Sequence, residues 1–144
     1  MFKSIFKNKK VLVTGHTGFK GSWLCAWLDH LGAEVVGLSD DVVSNPSNYL
    51  ASSISDFVKD YRVDIRDTAK VVSVIQETQP DFVFHLAAQA LVRPSYEDPI
   101  GTLTTNAIGT ANVLEALRFL DNKVVAVMIT SDKAYDNVEW VWGY

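Results

Sequence analysis

A single cysteine, Cys25, leaves this chain without a partner for an intramolecular disulfide and without any cysteine-only metal site, a usage that fits a reducing compartment. There is no basic surplus either. The 13 Lys+Arg stand against 17 Asp+Glu, a formal net charge of −4, so nothing is left over to neutralise nucleic-acid phosphates and no nucleic-acid partner is expected. The longest apolar run, Val124 to Ile129, falls far short of the ~20 residues a membrane-spanning helix needs, and no membrane partner is expected. The basic start from Met1 to Lys10 is followed only by Val11-Leu12-Val13 before Thr14 and Gly15, which is too short for a signal peptide. His30 and His85 have no Cys, Asp or Glu at ligand spacing, so no metal is expected. These absences leave one soluble, cytoplasmic domain as the expectation. At 144 residues it can bury roughly 70% of its unfolded surface.

What is present alternates strand and helix patterns, the signature of a parallel sheet wound with helices. Residues 1–9 read as a basic N-terminal extension, with Lys3, Lys7, Lys9 and Lys10 solvated, and residues 10–144 as a nucleotide-binding domain. Lys10 to Thr14 is a first strand and Glu34 to Leu38 a second. Between them a helix runs from about Gly18 to Leu31, with Trp23, Leu24, Trp27 and Leu28 expected in the core and Gly32 as its stop. The polar stretch from Ser39 to Ser55 reads as an irregular connection with at most a short turn of helix. Phe57 to Val63 is a third strand, and Asp67 caps a helix to Thr78 that ends before Pro80. Asp81 to Leu86 is a fourth strand, followed by a loop carrying Pro94. Asp98 as N-cap and Pro99 at the first helical position then open a long helix to about Leu120. Lys123 to Thr130 is the fifth strand. The expected class is α/β, a Rossmann-type doubly wound parallel sheet with strand order 3-2-1-4-5.

Gly15-His16-Thr17-Gly18-Phe19-Lys20-Gly21 is a G-x-x-G-x-x-G run between a strand and a helix. Gly15 permits the tight turn, Gly18 lets backbone amides approach a phosphate, and Gly21 lets helix pack on strand. The helix N-terminus supplies positive partial charge for a pyrophosphate. A ribose-reading acid is due about 20 residues on. Ser39 occupies that place, and Asp40 follows one residue late. No Lys or Arg occurs between Lys20 and Lys59, which favours NAD over NADP, with Lys20 open to either a pyrophosphate or a 2′-phosphate. His16 reads as a loop-packing residue and His85 as a satisfied residue at a strand end.

Several segments together resemble the CDP-glucose 4,6-dehydratases, nucleotide-sugar enzymes of the extended short-chain dehydrogenase/reductases. They are Val13 to Leu24, Asp64-Ile65-Arg66-Asp67, Phe84 to Gln89, Leu91-Val92-Arg93, Thr105-Asn106 with Gly109-Thr110, and Thr130-Ser131-Asp132-Lys133 followed by Tyr135, Asn137, Glu139-Trp140 and Trp142-Gly143-Tyr144. The resemblance implies NAD as cofactor. Gly15, Thr17, Gly18, Phe19 and Lys20 would hold its phosphates, and Asp64 and Ile65 would line its adenine. Leu86, Ala87 and Ala88 would pass behind it, Asn106 would order the active site, and Thr130 would lie near the nicotinamide. The implied reaction oxidises the sugar at C4, eliminates water across C5 and C6, and returns the hydride to C6. Ser131, Asp132 and Lys133 match the family's hydroxyl, acid and base positions, and a basic Lys133 requires a pKa well below ~10.4. Arg93 reads either as a substrate-phosphate contact or as a solvated loop residue, and Asp132-Lys133 read without the resemblance is a surface ion pair.

The resemblance also implies a Tyr with a Lys four residues later, and no tyrosine of this chain has one. The family places that pair beyond Tyr144, together with the remaining strands and the substrate domain. The chain is therefore expected to be the N-terminal part, inactive alone and half of a homodimer-forming unit through its long helix. A stand-alone dinucleotide-binding module and another enzyme of the superfamily, such as a nucleotide-sugar epimerase, remain the alternatives.

Overall fold

A computed structural model of the chain describes residues 4–42 and 44–143. Lys3 and Tyr144 lie outside the described residues, as does the side chain of Lys133. β1 (Lys10–Thr14) is buried from Val11 onward because it runs through the middle of a sheet covered on both faces, the place that calls for an unbroken apolar run. It pairs in parallel with β2 (Glu34–Ser39) and β4 (Phe82–His85), so that Leu12 stands between Val36 and Val83. β3 (Lys59–Arg62) and β5 (Val125–Met128) complete one five-stranded parallel sheet in the order β3-β2-β1-β4-β5, the expected Rossmann-type arrangement. Winding reverses between β1 and β4, and in such sheets ligands bind beyond the carboxyl ends of the strands at that switch point.

α1 (Phe19–His30) and α2 (Asn48–Ala51) cover one face, closing a core of Val11, Val13, Cys25, Leu28, Val35, Tyr49, Ile54 and Val58. Burial pushes the Cys25 thiol up to about 12, so it is a packing residue and not a nucleophile. The other face packs α3 (Thr68–Thr78) and the end of the long helix against Leu12, Val36, Leu38 and Val83. Asp67 caps α3 as expected, accepting from the Lys70 N–H. Among the described residues no helix is long and apolar enough to cross a membrane.

Several expectations need correction. The residues α1 turns to the sheet are Gly21, Ser22, Cys25 and Leu28, while Trp23 and Trp27 are 59% and 47% exposed. Small residues face the sheet because the helix lies close upon it. The helix is apolar nearly all round, so its largest side chains could not be assigned to a face from spacing. Trp23 and Trp27 instead line an open apolar groove together with Leu24 and Ala26, which are partly buried and also pack against the core, as expected for Leu24. β3 starts two residues late because Phe57 and Val58 donate back to the Ile54 carbonyl in a tight turn. Pro94, assigned to a loop, lies in the first turn of α4 (Val92–Glu97), where its missing N–H costs nothing. The long helix is not continuous: α5 (Pro99–Leu103) and α6 (Thr110–Leu117) are joined by one π-helical turn, Thr104–Gly109. Of the basic start, Phe6 is packed edge-on against Phe82 at 5.1 Å and Lys9 is paired with Asp81 at 2.8 Å.

Gly21 sits where α1 meets the turn after β1, and a Cβ there would lie 2.1 Å from the Gly15 carbonyl oxygen. Neither partner is a side chain that can swing away. Gly21→Ala is expected to destabilise the fold by about 3 kcal/mol, read as a lowered urea midpoint; an unchanged midpoint would refute the close packing.

Candidate dinucleotide site

The turn after β1 is built from backbone. Gly15 has φ +72°, donates its N–H to the Leu38 carbonyl at 2.8 Å and accepts from the Gly18 N–H at 3.1 Å. A Cβ on Gly15 would stand 2.8 Å from the Ala87 nitrogen and 3.0 Å from the Leu86 carbonyl carbon, so the turn lies flat against the segment leaving β4. Gly18 differs. It is the N-cap of α1 with no side-chain cap, and a Cβ there would meet only the Gly15 oxygen at 3.3 Å. The first-turn N–H groups of α1 therefore open outward with no side chain over them, beside the exposed Phe19 and Lys20. That cradle fits a pyrophosphate: unpaired donors, positive helix end and room for backbone approach.

The Thr17 side chain turns inward. Its hydroxyl donates to the Asp41 carbonyl at 2.6 Å and receives the Ser39 hydroxyl at 2.9 Å, tying the glycine turn to the end of β2. Asp40 is exposed, with one carboxylate oxygen accepting from the Asp41 N–H, while buried Ser39 occupies the place where a ribose-reading acid stands in other such sheets.

Beyond β3, both Asp64 oxygens accept from the Arg66 guanidinium, which holds the Asp64 carboxyl below the usual range. Ile65 is buried and its side chain packs on Gly109. Asn112 of α6 donates to the Ile65 carbonyl at 2.9 Å and accepts from the Thr68 hydroxyl, so the long helix holds this loop in place.

Beyond β4 the same helix grips again. The Thr14 hydroxyl oxygen accepts from the Leu86 and Ala87 N–H groups, both at 3.1 Å, which leaves its own hydrogen for His85 Nδ1 at 2.7 Å. Thr110 donates to the Asn106 carbonyl at 2.7 Å and accordingly accepts from His85 Nε2 at 3.0 Å. His85 is thus held neutral in one tautomer, and burial lowers its pKa. Asn106 clamps the backbone of Gln89, accepting from its N–H at 2.8 Å and donating to its carbonyl at 2.9 Å. Leu86 and Ala87 are half-buried behind the turn, and Ala88 is exposed.

Thr130, Ser131 and Asp132 follow β5 at the sheet's outer edge and are exposed. The Ser131 hydroxyl donates to the Asp132 carboxylate at 3.2 Å, and Lys133 lies in the short turn Asp132–Ala134. Arg93 is exposed on α4 and paired with Glu97 at 3.0 Å. The structure therefore brings together the glycine turn, Leu86, Ala87 and, by way of the long helix, Asn106, Asp64 and Ile65. Ser131 and Asp132 stand past the end of β5, the strand next to β4.

Asn112 was not singled out in the sequence, and Thr14, Gln89 and Thr110 stand inside the resembling segments with no role assigned to them, although Thr102, Asn106 and Thr110 recur every four residues along the long helix. His16 was read as a packing residue. Its buried ring lies over Gly37 and 3.0 Å from Asp60, whose other oxygen receives Tyr49 and Arg62.

Known proteins share this arrangement. The family model described as GDP-mannose 4,6 dehydratase matches residues 12–141. A CDP-glucose 4,6-dehydratase of Salmonella typhimurium is 49% identical over 99% of this chain, and a GDP-mannose 4,6-dehydratase of Vibrio cholerae is 36% identical over 78%. A crystal structure of UDP-glucose-4-epimerase from Stenotrophomonas maltophila with bound NAD and formylated UDP-arabinopyranose superposes with a TM-score of 0.81 at 27% identity, covering 93% of this chain and 40% of that one. The chain spans 40% of the Salmonella relative and 32% of the Vibrio one.

Two outcomes are expected. Gly18→Ala changes stability by no more than about 1 kcal/mol, because φ −72° suits alanine, yet weakens pyrophosphate binding in titration calorimetry; equal affinity would place the anion elsewhere. The unfolded chain has ordinary histidines, so it binds more protons than the fold below about pH 6.5, and stability must decline as pH falls through that range. Burial of His16 acts in the same direction against the pull of Asp60. His85→Gln is expected to flatten this decline in urea melts between about pH 7.5 and 5.5, and an unaltered slope would contradict the neutral assignment.

Proposed function

Because the chain belongs to the GDP-mannose 4,6 dehydratase family, we propose that it forms the NAD-binding portion of a nucleotide-sugar 4,6-dehydratase. The observation that carries this reading is the uncapped start of α1 at Gly18, at the switch point of the sheet, following a Gly15 turn that lies against Leu86 and Ala87. Phosphates rest on the first-turn N–H groups of α1, with Lys20 as counter-charge. Asp64 and Ile65 border the adenine, and Asp40, the first carboxylate past β2, is offered to a ribose hydroxyl. With no Lys or Arg between Lys20 and Lys59, a 2′-phosphate has no dedicated partner in that stretch, which favours NAD over NADP.

CDP-glucose is the proposed sugar nucleotide. Support comes from the Gly-His-Thr-Gly-Phe-Lys-Gly and Ser-Asp-Lys runs together with the 49% identical relative that bears that name. When bound, the nicotinamide supplies a reversible hydride acceptor. The chain's own residues then handle protons: Asp132 protonates the departing C6 hydroxyl, Lys133 takes the C5 proton, and Ser131 holds the Asp132 carboxylate in line. The activity belongs to the complete, cytoplasmic and homodimeric enzyme, with the long helix as the dimer face. The present 144 residues include no Tyr-x-x-x-Lys to take the C4 hydroxyl proton.

Titration of this chain with NAD is expected to show weak binding, and NADP weaker still. No heat at millimolar NAD would overturn the reading. Incubation with CDP-glucose and NAD is expected to yield no 4-keto-6-deoxy product, and its appearance would show that a residue of this chain replaces the tyrosine.

A further inference from the structure

The backbone and side chain of Gln89 bond to three neighbours, Asn106, Leu91 and Thr102. Its backbone N–H and carbonyl are clamped by Asn106 at 2.8 and 2.9 Å. Its side-chain amide donates to the Leu91 carbonyl and to the Thr102 hydroxyl, both at 3.0 Å, and its side-chain oxygen accepts from the Leu91 N–H at 2.7 Å. The segment it belongs to, residues 86–91, has no helix or strand of its own. Near one end that segment is fixed by Thr14 through the Leu86 and Ala87 N–H groups, and the same two residues form the wall behind Gly15, where an added Cβ would stand 2.8–3.0 Å from their backbone atoms. Near its other end Gln89 secures it. The π-helical turn Thr104–Gly109 contains Asn106 and begins two residues after Thr102, so the two residues of the long helix that hold Gln89 sit in or close to its irregular turn.

We infer that Gln89 is a positioning residue for the dinucleotide: its side chain and the π-helical turn together hold the wall behind the glycine turn at the separation a pyrophosphate needs. The inference rests on the dinucleotide reading and adds a determinant of affinity outside the glycine motif. Gln89 does not touch the ligand. It acts through residues 86–88, so loosening it costs binding by adding an ordering step that the ligand must drive.

The test uses three single variants of the chain, with calorimetric titration of NAD and hydrogen exchange of the 86–91 amides. Gln89→Leu keeps the size and removes the side-chain bonds; it is expected to bind NAD roughly tenfold more weakly, with faster exchange at 86–91 and a urea midpoint close to the parent's. Thr102→Val removes one partner from a distance and is expected to move both readouts the same way by a smaller factor. Gln89→Glu keeps the bond from the Leu91 N–H but not the one to Thr102, whose hydroxyl donates to the Asp98 carbonyl at 2.9 Å, and it is expected to bind more tightly than Gln89→Leu and more weakly than the parent. Unchanged NAD affinity in Gln89→Leu, with the parent chain binding, would overturn this inference alone. Loss of affinity in Gln89→Leu without faster exchange, and with Thr102→Val like the parent, would mean direct contact and overturn it too. No binding by the parent chain would remove the dinucleotide reading and this inference together.

Discussion

The arrangement depends on one directed chain of hydrogen bonds. It runs from the Leu86 and Ala87 N–H groups to the Thr14 hydroxyl, through the neutral ring of His85, to Thr110 and on to the Asn106 carbonyl. Every hydrogen in it has one direction, because each acceptor is filled by the link before. It ties the end of β1 to the end of β4 and both to the long helix, across the point where the winding of the sheet reverses. A ligand site there needs two strand ends held at fixed spacing, and past their last residues the backbone pairing between them continues with the Leu86 N–H on the Thr14 carbonyl at 3.2 Å. The chain of side chains reinforces that bond and extends the hold to the long helix. At its buried centre, the Thr14–His85 pair, leaving a group unpaired would cost about 1–3 kcal/mol.

The long helix is the second organiser. Asn112 holds the loop after β3, while Asn106 and Thr110 hold the loop after β4. Two connections that would otherwise be free are thereby hung from one rigid element. The π-helical turn carries Asn106 and ends just before Thr110 and Asn112, and it breaks the even phase of the helix between residues that reach two loops.

Most of the fold was legible in the residues themselves. The glycine run between a strand and a helix, the Asp67 and Asp98 caps and the buried run of β1 announced a wound parallel sheet, and the order of its strands followed from the resemblance those motifs carry. What could not be read were features set by tertiary contact. The face of α1 that meets the sheet was hidden because Trp23 and Leu28 are equally apolar, and the close approach that selects Gly21 and Cys25 is a property of the packed pair. The π-helical turn leaves no local signature in Thr104 to Gly109. The role of His85 depends on a threonine 71 positions away in sequence. At the site, the backbone cradle was visible from its glycines, whereas the side chains that hold it, Thr14, Gln89 and Asn112, look like ordinary polar residues until their partners are seen.

The central claim is that a dinucleotide lies across the ends of β1 and β4, on the uncapped start of α1. It is tested most directly by following the backbone amide resonances of the chain during titration with NAD. The account predicts that the resonances moving together, with one affinity, are those of Gly15 to Lys20, Asp64 to Ile65 and Leu86 to Gln89, while those of the open groove at Trp23 and Trp27 stay in place. Shifts confined to that groove, or to β5 and the residues after it, would contradict the account.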